Sequence, residues 1–263
     1  MATASRTEFR FPGSKSLANR RELGYYIAHG ISFQLQHGPK MSELELRQEM
    51  LGIGRLLHEK NFVAATDGNI SARVSSKSIL VTPTGMSKGM LRLEDLVLVD
   101  QDGRKLAGTR EVSTELRMHL LIYRLRGDVH AVVHAHPPTA TGFAAAGLAL
   151  DEPLISEVEL SLGRVPTACY ALPGSTELCD GLSPLITGNN AILMANHGVV
   201  TYAEDLLTAY MHMETVEHFA RISLVTHQLG RRHALDKRQV DELRDLRKQR
   251  AMGTTEDLLR KKA

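Results

Sequence analysis

Two histidines one residue apart, His134 and His136, follow the apolar run Ala131-Val132-Val133. Side chains alternate across an extended strand, so residues two apart point to the same face. Two imidazoles on one face at a strand's end can share one cation. His130 has the same parity but lies too far back along the strand to join them. A third candidate, His197, follows the apolar run Ala191–Ala195 and precedes Gly198. A histidine at a strand's end, beside a glycine that lets the chain turn closely, suits a ligand. Three neutral imidazoles with an open fourth position describe a catalytic rather than a closed structural site. Imidazole accepts Zn, Fe, Co, Ni or Cu, so Zn2+ is the expectation on frequency and another divalent transition metal stays open. Taken alone, the His-x-His pair also fits two exposed histidines.

Glu115 follows Ser113 and Thr114 at the start of a helical pattern. A carboxylate there complements the helix dipole, and nothing in the spacing alone brings it to the imidazoles. Lys88 reads equally as an aid to anion binding or as a solvated loop lysine. His119, one helical turn after Glu115, reads as a satisfied core or surface histidine, and Arg73 as a structural strand residue. His212 and His218 read as packing or surface residues.

These residues need elements to position them. Ser42 followed by Glu45 forms a capping box that opens a helix after Met41. Strand-like runs follow at Asn69–Val74, Ser78–Thr82 and Leu96–Asp100, with Asp102-Gly103 as a hairpin turn. A helix is expected over about Thr114–Leu125 with Ser113 as its cap. An alternating β-branched strand spans Asp128–His136 and is closed by Pro137-Pro138. Further elements are expected at Thr139–Ala146, Leu154–Leu162, Val165–Tyr170 and Ala191–Ala195. A long amphipathic helix follows from Glu204 to about Leu229, and a charged helix from Asp236 to Arg250. Helices and strands alternate without a strict βαβ rhythm, which predicts a three-layer α/β/α sandwich around a mostly antiparallel sheet. The organisation read from this is an N-terminal extension over 1–40, a catalytic domain over 41–230 and a charged helical tail over 231–263.

Composition sets outer limits. At 263 residues one core can bury roughly 70 to 75 % of the unfolded surface, so no disulfide is required. The two cysteines, Cys169 and Cys179, form no CxxC pair, read as small buried hydrophobes, and favour a reducing compartment, the cytoplasm. A formal charge of +2 argues for neither nucleic acid nor membrane as a partner. No apolar stretch approaches the roughly 20 residues a membrane helix needs.

Taken in order, Asp67-Gly68-Asn69-Ile70-Ser71-Ala72-Arg73, Thr82-Pro83-Thr84-Gly85-Met86, Ser113-Thr114-Glu115, His134-Ala135-His136-Pro137 and Asn196-His197-Gly198 resemble the class II aldolase/adducin family, whose best-known enzyme cleaves L-fuculose 1-phosphate. The resemblance runs from about Met41 to Leu229 and includes the 19-residue step from Glu115 to His134. It implies zinc ligation by His134, His136 and His197, with Glu115 as the acid/base carboxylate and an additional ligand in the empty enzyme. It implies that Asn69, Thr84, Gly85, Ser113 and Thr114 hold a substrate phosphate. Glycine turns and helix N-termini with hydroxyl neighbours are suited to that task.

The resemblance further implies a homotetramer with active sites between subunits. The substrate would be a ketose 1-phosphate, of fuculose phosphate or deoxyribulose phosphate type, cleaved to dihydroxyacetone phosphate and a small aldehyde. One departure concerns the second proton donor. The family's fuculose enzyme supplies a tyrosine from the segment after the His-x-His strand, whereas Leu154–Leu162 here carries Glu157 and Glu159 instead. Glu157, Tyr123 and Tyr170 are the candidates for that role. The alternatives are a dehydratase, epimerase or decarboxylase of a phosphorylated sugar on the same metal, or a non-catalytic adducin-like scaffold.

Overall fold

The structure, a computed structural model, describes residues 41–260, so the extension expected over 1–40 lies outside the described residues. Eight strands form one sheet in the order β4-β3-β2-β1-β5-β8-β7-β6. They are β1 (Asn69–Arg73), β2 (Ile79–Val81), β3 (Val97–Val99), β4 (Lys105–Ala107), β5 (Ala131–Ala135), β6 (Thr167–Ala168), β7 (Ala191–Met194) and β8 (Gly198–Ala203). Every neighbouring pair is antiparallel except β6 with β7, so the expected mostly antiparallel sheet is present with one parallel edge.

The period-two pattern of β5 sorts its residues between two cores. Ala131, Val133 and Ala135 face a layer made by α1 (Glu43–Glu59), α3 (Pro138–Ala145) and α6 (Leu206–Gln228), where Met50, Leu57, Phe143, Met213 and Phe219 pack. Val132 faces the opposite layer, made by α2 (Leu116–Leu125) and α5 (Thr176–Ile186), with Met118, Ile122, Leu178 and Leu182. The same alternation divides Val199 from Val200 on β8 and Ile70 from its neighbours on β1. Each such aliphatic side chain, fully buried, contributes about 1.5–3 kcal/mol. Two apolar layers on one sheet are the three-layer sandwich read from the sequence.

The capping box that opens α1 is formed: Ser42 Oγ accepts from the Glu45 amide at 3.3 Å, and Glu45 Oε2 accepts from the Ser42 amide at 2.8 Å. The turn at Asp102-Gly103 joins β3 to β4 through Gly103 N–H to Asp100 O at 3.1 Å. Helix α2 begins two residues later than the sequence suggests. Glu115, at its N-cap, has helical dihedrals, and Ser113 Oγ accepts from the Glu115 amide at 3.2 Å and from Asn69 Nδ2 at 3.5 Å.

Two elements escape sequence reading. Strand β8 is buried along its whole length and follows β7 after three residues, Ala195, Asn196 and His197. Helix α5 contains Gly181 and Pro184, both poor helix formers, and is held by its buried Leu178, Leu182 and Ile186. Strand β6 is only Thr167–Ala168, shorter than the Val165–Tyr170 expected. Cys169 is exposed rather than buried, and Cys179 is half-buried.

The short helix α4 (Ser156–Ser161) meets the charged tail helix α7 (Lys237–Arg260), with Arg244 Nε 3.7 Å from the buried Glu159 carboxylate. Among the described residues no helix is long and apolar enough to cross a membrane.

Candidate metal centre

The sheet register brings the distant histidines together. β5 and β8 pair with His134 opposite Val200 and Ala135 opposite Val199. The turn from β7 to β8 then places His197 beside the end of β5. Asn196 takes φ +55° in that turn, a conformation asparagine tolerates better than most residues. Gly198 is fixed by closeness: a Cβ there would stand 2.5 Å from His136 Cδ2 and 2.7 Å from Ala135 O. The three imidazole centroids lie 4.8–5.2 Å apart, with one nitrogen from each ring within 4.8 Å of the others.

Hydrogen bonds fix which nitrogens are free. His134 Nδ1 lies 2.9 Å from the Val199 carbonyl, which can only accept, so Nδ1 carries the proton and Nε2 keeps a lone pair. His136 Nδ1 lies 3.4 Å from Asp67 Oδ2, which assigns its proton the same way. The two Nε2 atoms then face each other at 3.2 Å, lone pair towards lone pair. Burial pushes His134 down to about 3 and also lowers His136, so both rings are neutral at pH 7. Such an arrangement is unfavourable unless a positive charge sits between the rings.

Glu115 completes the cluster. Its Oε2 is 3.4 Å from His134 Nε2 and its Oε1 is 3.1 Å from His197 Nε2. Oε1 is buried without a hydrogen-bond donor among the described residues. Burial works against its charge, but His134, His197 and the Asn69 amide outweigh that and hold the carboxyl well below its usual range. Three imidazoles and an ionised carboxylate with an unmatched oxygen are a donor set that can hold a divalent transition cation.

Of the residues expected to hold a phosphate, Asn69 opens β1, and Thr84, Gly85, Ser113 and Thr114 lie on loops. Thr84, Gly85 and Thr114 are exposed, and Ser113 is half-buried. Thr84 N–H donates to Glu111 O at 2.9 Å, and Pro83 bridges to Val112, so the Thr84 and Ser113 segments are tied to each other. Asn69 is buried and already engaged. Its Nδ2 donates to Glu115 Oε2 at 2.8 Å and approaches Ser113 Oγ at 3.5 Å.

Other sequence candidates fall elsewhere. Tyr123 lies in the core with its hydroxyl against Ser71 Oγ, and burial raises its pKa, so it is no surface proton donor. Tyr170 is 63 % exposed. Glu157 is exposed as well. Arg73 is structural as expected, donating to Val129 O and Tyr123 O.

Lys88 is neither of the things its sequence suggested. It is 1 % exposed, and its Nζ donates to Thr66 O at 2.9 Å and Met86 O at 2.7 Å, clamping the loop before Asn69 to the loop after Gly85. Burial lowers its pKa to about 8, against the pull of Asp67 and Glu115. Gly54 on α1 makes room for this segment, since a Cβ there would meet Lys88 O at 2.6 Å. Sequence reading also missed Asp67 as a partner of His136. The one available signal was its place at the head of the Asp67-Gly68-Asn69 run.

A profile described as the Class II Aldolase and Adducin N-terminal domain matches residues 48–224. The chain belongs to the class II aldolase and adducin family, and within it to the metal-dependent carbon–carbon lyases. It is 34 % identical over 184 residues to an L-fuculose phosphate aldolase of Methanococcus maripaludis, covering 69 % of this chain and 97 % of that one. It is 33 % identical over 187 residues to a 3-oxo-tetronate 4-phosphate decarboxylase of Haemophilus influenzae, covering 69 % of this chain and 88 % of the relative. A solved L-fuculose 1-phosphate aldolase superposes with a TM-score of 0.74 at 29 % identity, over 80 % of this chain and all of that one.

Proposed function

We propose that the chain is a zinc-dependent aldolase that cleaves a ketose 1-phosphate reversibly to dihydroxyacetone phosphate and an aldehyde, with His134, His136 and His197 as metal ligands. The observation that carries the reading is the convergence of unmatched acceptors, His134 Nε2, His136 Nε2 and Glu115 Oε1, at one point on the rim. Held by these three imidazoles, a zinc ion would supply Lewis acidity to the substrate's carbonyl group.

The chain's own residues do the rest. Thr84, Gly85, Ser113 and Thr114 offer hydroxyls and loop amides to the phosphate, with Asn69 beside them. This holds the sugar so that C3 lies next to Glu115. In cleavage the C4 hydroxyl gives up its proton, the C3–C4 bond breaks, and its electron pair moves towards the C2 oxygen. In condensation the Glu115 carboxylate removes the C3 proton; cleavage runs that step backwards, Glu115 taking up a solvent proton and passing it to C3. The reading includes a cytoplasmic homotetramer with active sites at subunit boundaries, where a neighbouring chain can supply the group that handles the C4 hydroxyl proton.

A second reading rests on the 33 % identity to the decarboxylase. A 3-oxo acid phosphate would lose CO2 by the same electron flow, the breaking C–C bond again feeding the adjacent carbonyl oxygen and Glu115 protonating carbon. One assay separates the two. Purified protein is given dihydroxyacetone phosphate with acetaldehyde or lactaldehyde, and separately 3-oxo-tetronate 4-phosphate, each with and without chelator. A chelator-sensitive condensation product supports the aldolase. CO2 release alone supports the decarboxylase, and neither product from folded, metal-loaded protein rejects both.

A further inference from the structure

Behind Glu115 and Asn69 runs a buried line of polar groups, His119, Ser71 and Tyr123, that the chemistry above does not use. Asn69 Nδ2 donates to Glu115 Oε2 at 2.8 Å. Asn69 Oδ1 lies 2.5 Å from His119 Nε2. His119 Nδ1 lies 2.6 Å from Ser71 Oγ, and Ser71 Oγ lies 2.8 Å from the Tyr123 hydroxyl. His119, Ser71 and Tyr123 are buried, and Arg73 braces the far end, its Nη2 donating to Tyr123 O and its guanidinium 4.6 Å over the Tyr123 ring.

The carboxylate sets the polarity of the whole line. An ionised Glu115 can only accept, so Asn69 must turn its amide nitrogen towards it and its carbonyl oxygen away. That oxygen can only accept, so His119 must carry its proton on Nε2. His119 Nδ1 is then an acceptor and takes the Ser71 hydroxyl proton, and Ser71 Oγ in turn takes the proton of Tyr123. Any other tautomer or amide orientation leaves two donors or two acceptors facing each other in a buried place, at a cost of about 1–3 kcal/mol for each mismatch.

We propose that His119 is a positioning residue for the lyase reaction: its Nε2–H fixes the Asn69 amide, which in turn holds the Glu115 carboxylate against the imidazole cluster. The proposal rests on the reading of Glu115 as the group that moves the C3 proton. Burial keeps His119 neutral, lowering its pKa to about 4, so the line keeps one polarity through the neutral range.

Two substitutions separate positioning from packing. His119→Gln puts an amide N–H where Nε2 stands and can still reach Asn69. His119→Asn puts its amide near the Nδ1 position and cannot. The readout is exchange of the C3 proton of dihydroxyacetone phosphate in D2O, which needs no aldehyde, together with metal content. His119→Asn is expected to lower the exchange rate at saturation 10-fold or more, with KM within 3-fold and full metal content, whereas His119→Gln stays within 3-fold of the parent. Equal losses in both variants, or none in either, overturn the proposal. Glu115→Gln is the control: if it exchanges as fast as the parent, the reading of Glu115 fails, and that failure is distinct from His119 being idle while Glu115→Gln is dead. If the variants do not fold, the tautomer decides in the parent protein. Selective 15N labelling of histidine is expected to show His119 neutral with the proton on Nε2 at pH 7, and an Nδ1–H tautomer or an imidazolium overturns the proposal.

Discussion

The two faces of the sheet are built from the same strands and have opposite contents. On the face covered by α1, α3 and α6, Ile70, Ala72, Val133 and Ala135 meet Met50, Leu57, Met213 and Phe219, and the buried polar groups Thr201, His212 and Glu217 lie on or against α6 and away from the imidazole cluster. On the face covered by α2 and α5, the same two strands present Asn69, Ser71 and His134, and the apolar core beside them gives way to a hydrogen-bonded line ending at a carboxylate. The strand parity that makes one face a uniform core makes the other a place where each polar group constrains the next. Buried polar groups demand fixed partners, whereas apolar side chains accept many packings. The first face therefore supplies stability and the second supplies geometry.

Breaking one face at a time tests that division. The largest effect is expected on the polar face: Glu115→Gln should lower kcat by about 10^2- to 10^4-fold. Chemical denaturation should shift little, and a variant that unfolds instead of losing turnover would contradict the division.

On the apolar face, Phe219→Ala should cost about 3–5 kcal/mol of unfolding free energy in urea titrations. Turnover per folded, metal-loaded chain should stay near the parent's, and a collapse of turnover would mean the faces are not separable.

Acid adds a test that touches both faces. Burial lowers His119 on the polar side and His212 on α6 from 6.5 to about 4. Between those values the unfolded chain binds protons that the native one refuses, so stability is full above pH 6.5 and falls as pH drops towards 4. Each group should remove roughly 3 kcal/mol by pH 4. Denaturation midpoints measured from pH 7 to 4 check this, with His119→Gln and His212→Gln each flattening the slope.

The smallest effect concerns the cation itself. Stripping it at a working concentration of 100 times Kd should lower stability by about 2.7 kcal/mol. Thermal scans with and without chelator read this, and an unchanged Tm would argue against the imidazole cluster as the binding place.

Much of the molecule is legible in its sequence, and the limits have physical causes. The imidazole pair follows from strand parity, a local rule, and the capping box at Ser42 and Glu45 is likewise local. The place of Glu115 beside the rings comes from the family resemblance and not from spacing. The line through His119 depends on which strands pair and in what register. Asn69 stands opposite His134 because β1 lies beside β5, strands far apart in the chain. Lys88 misleads because a lysine in a Gly-rich loop reads as solvated until the backbone folds over it. Helix α5 is hidden by Gly181 and Pro184, whose local cost is outweighed by tertiary burial.

Gly54 takes part in no chemistry and touches no candidate substrate group, yet the backbone of Lys88 rests almost on its α-carbon. Any larger residue there would push outward the clamp that joins the Thr66 and Met86 carbonyls. If those loops hold the phosphate as proposed, the damage would surface as a weakened grip on it, although the substituted position lies on the opposite layer of the fold. A helix on the apolar side thus sets the tolerances of the recognition loops, and variation at its least conspicuous residue would be read, wrongly, as a change in substrate preference.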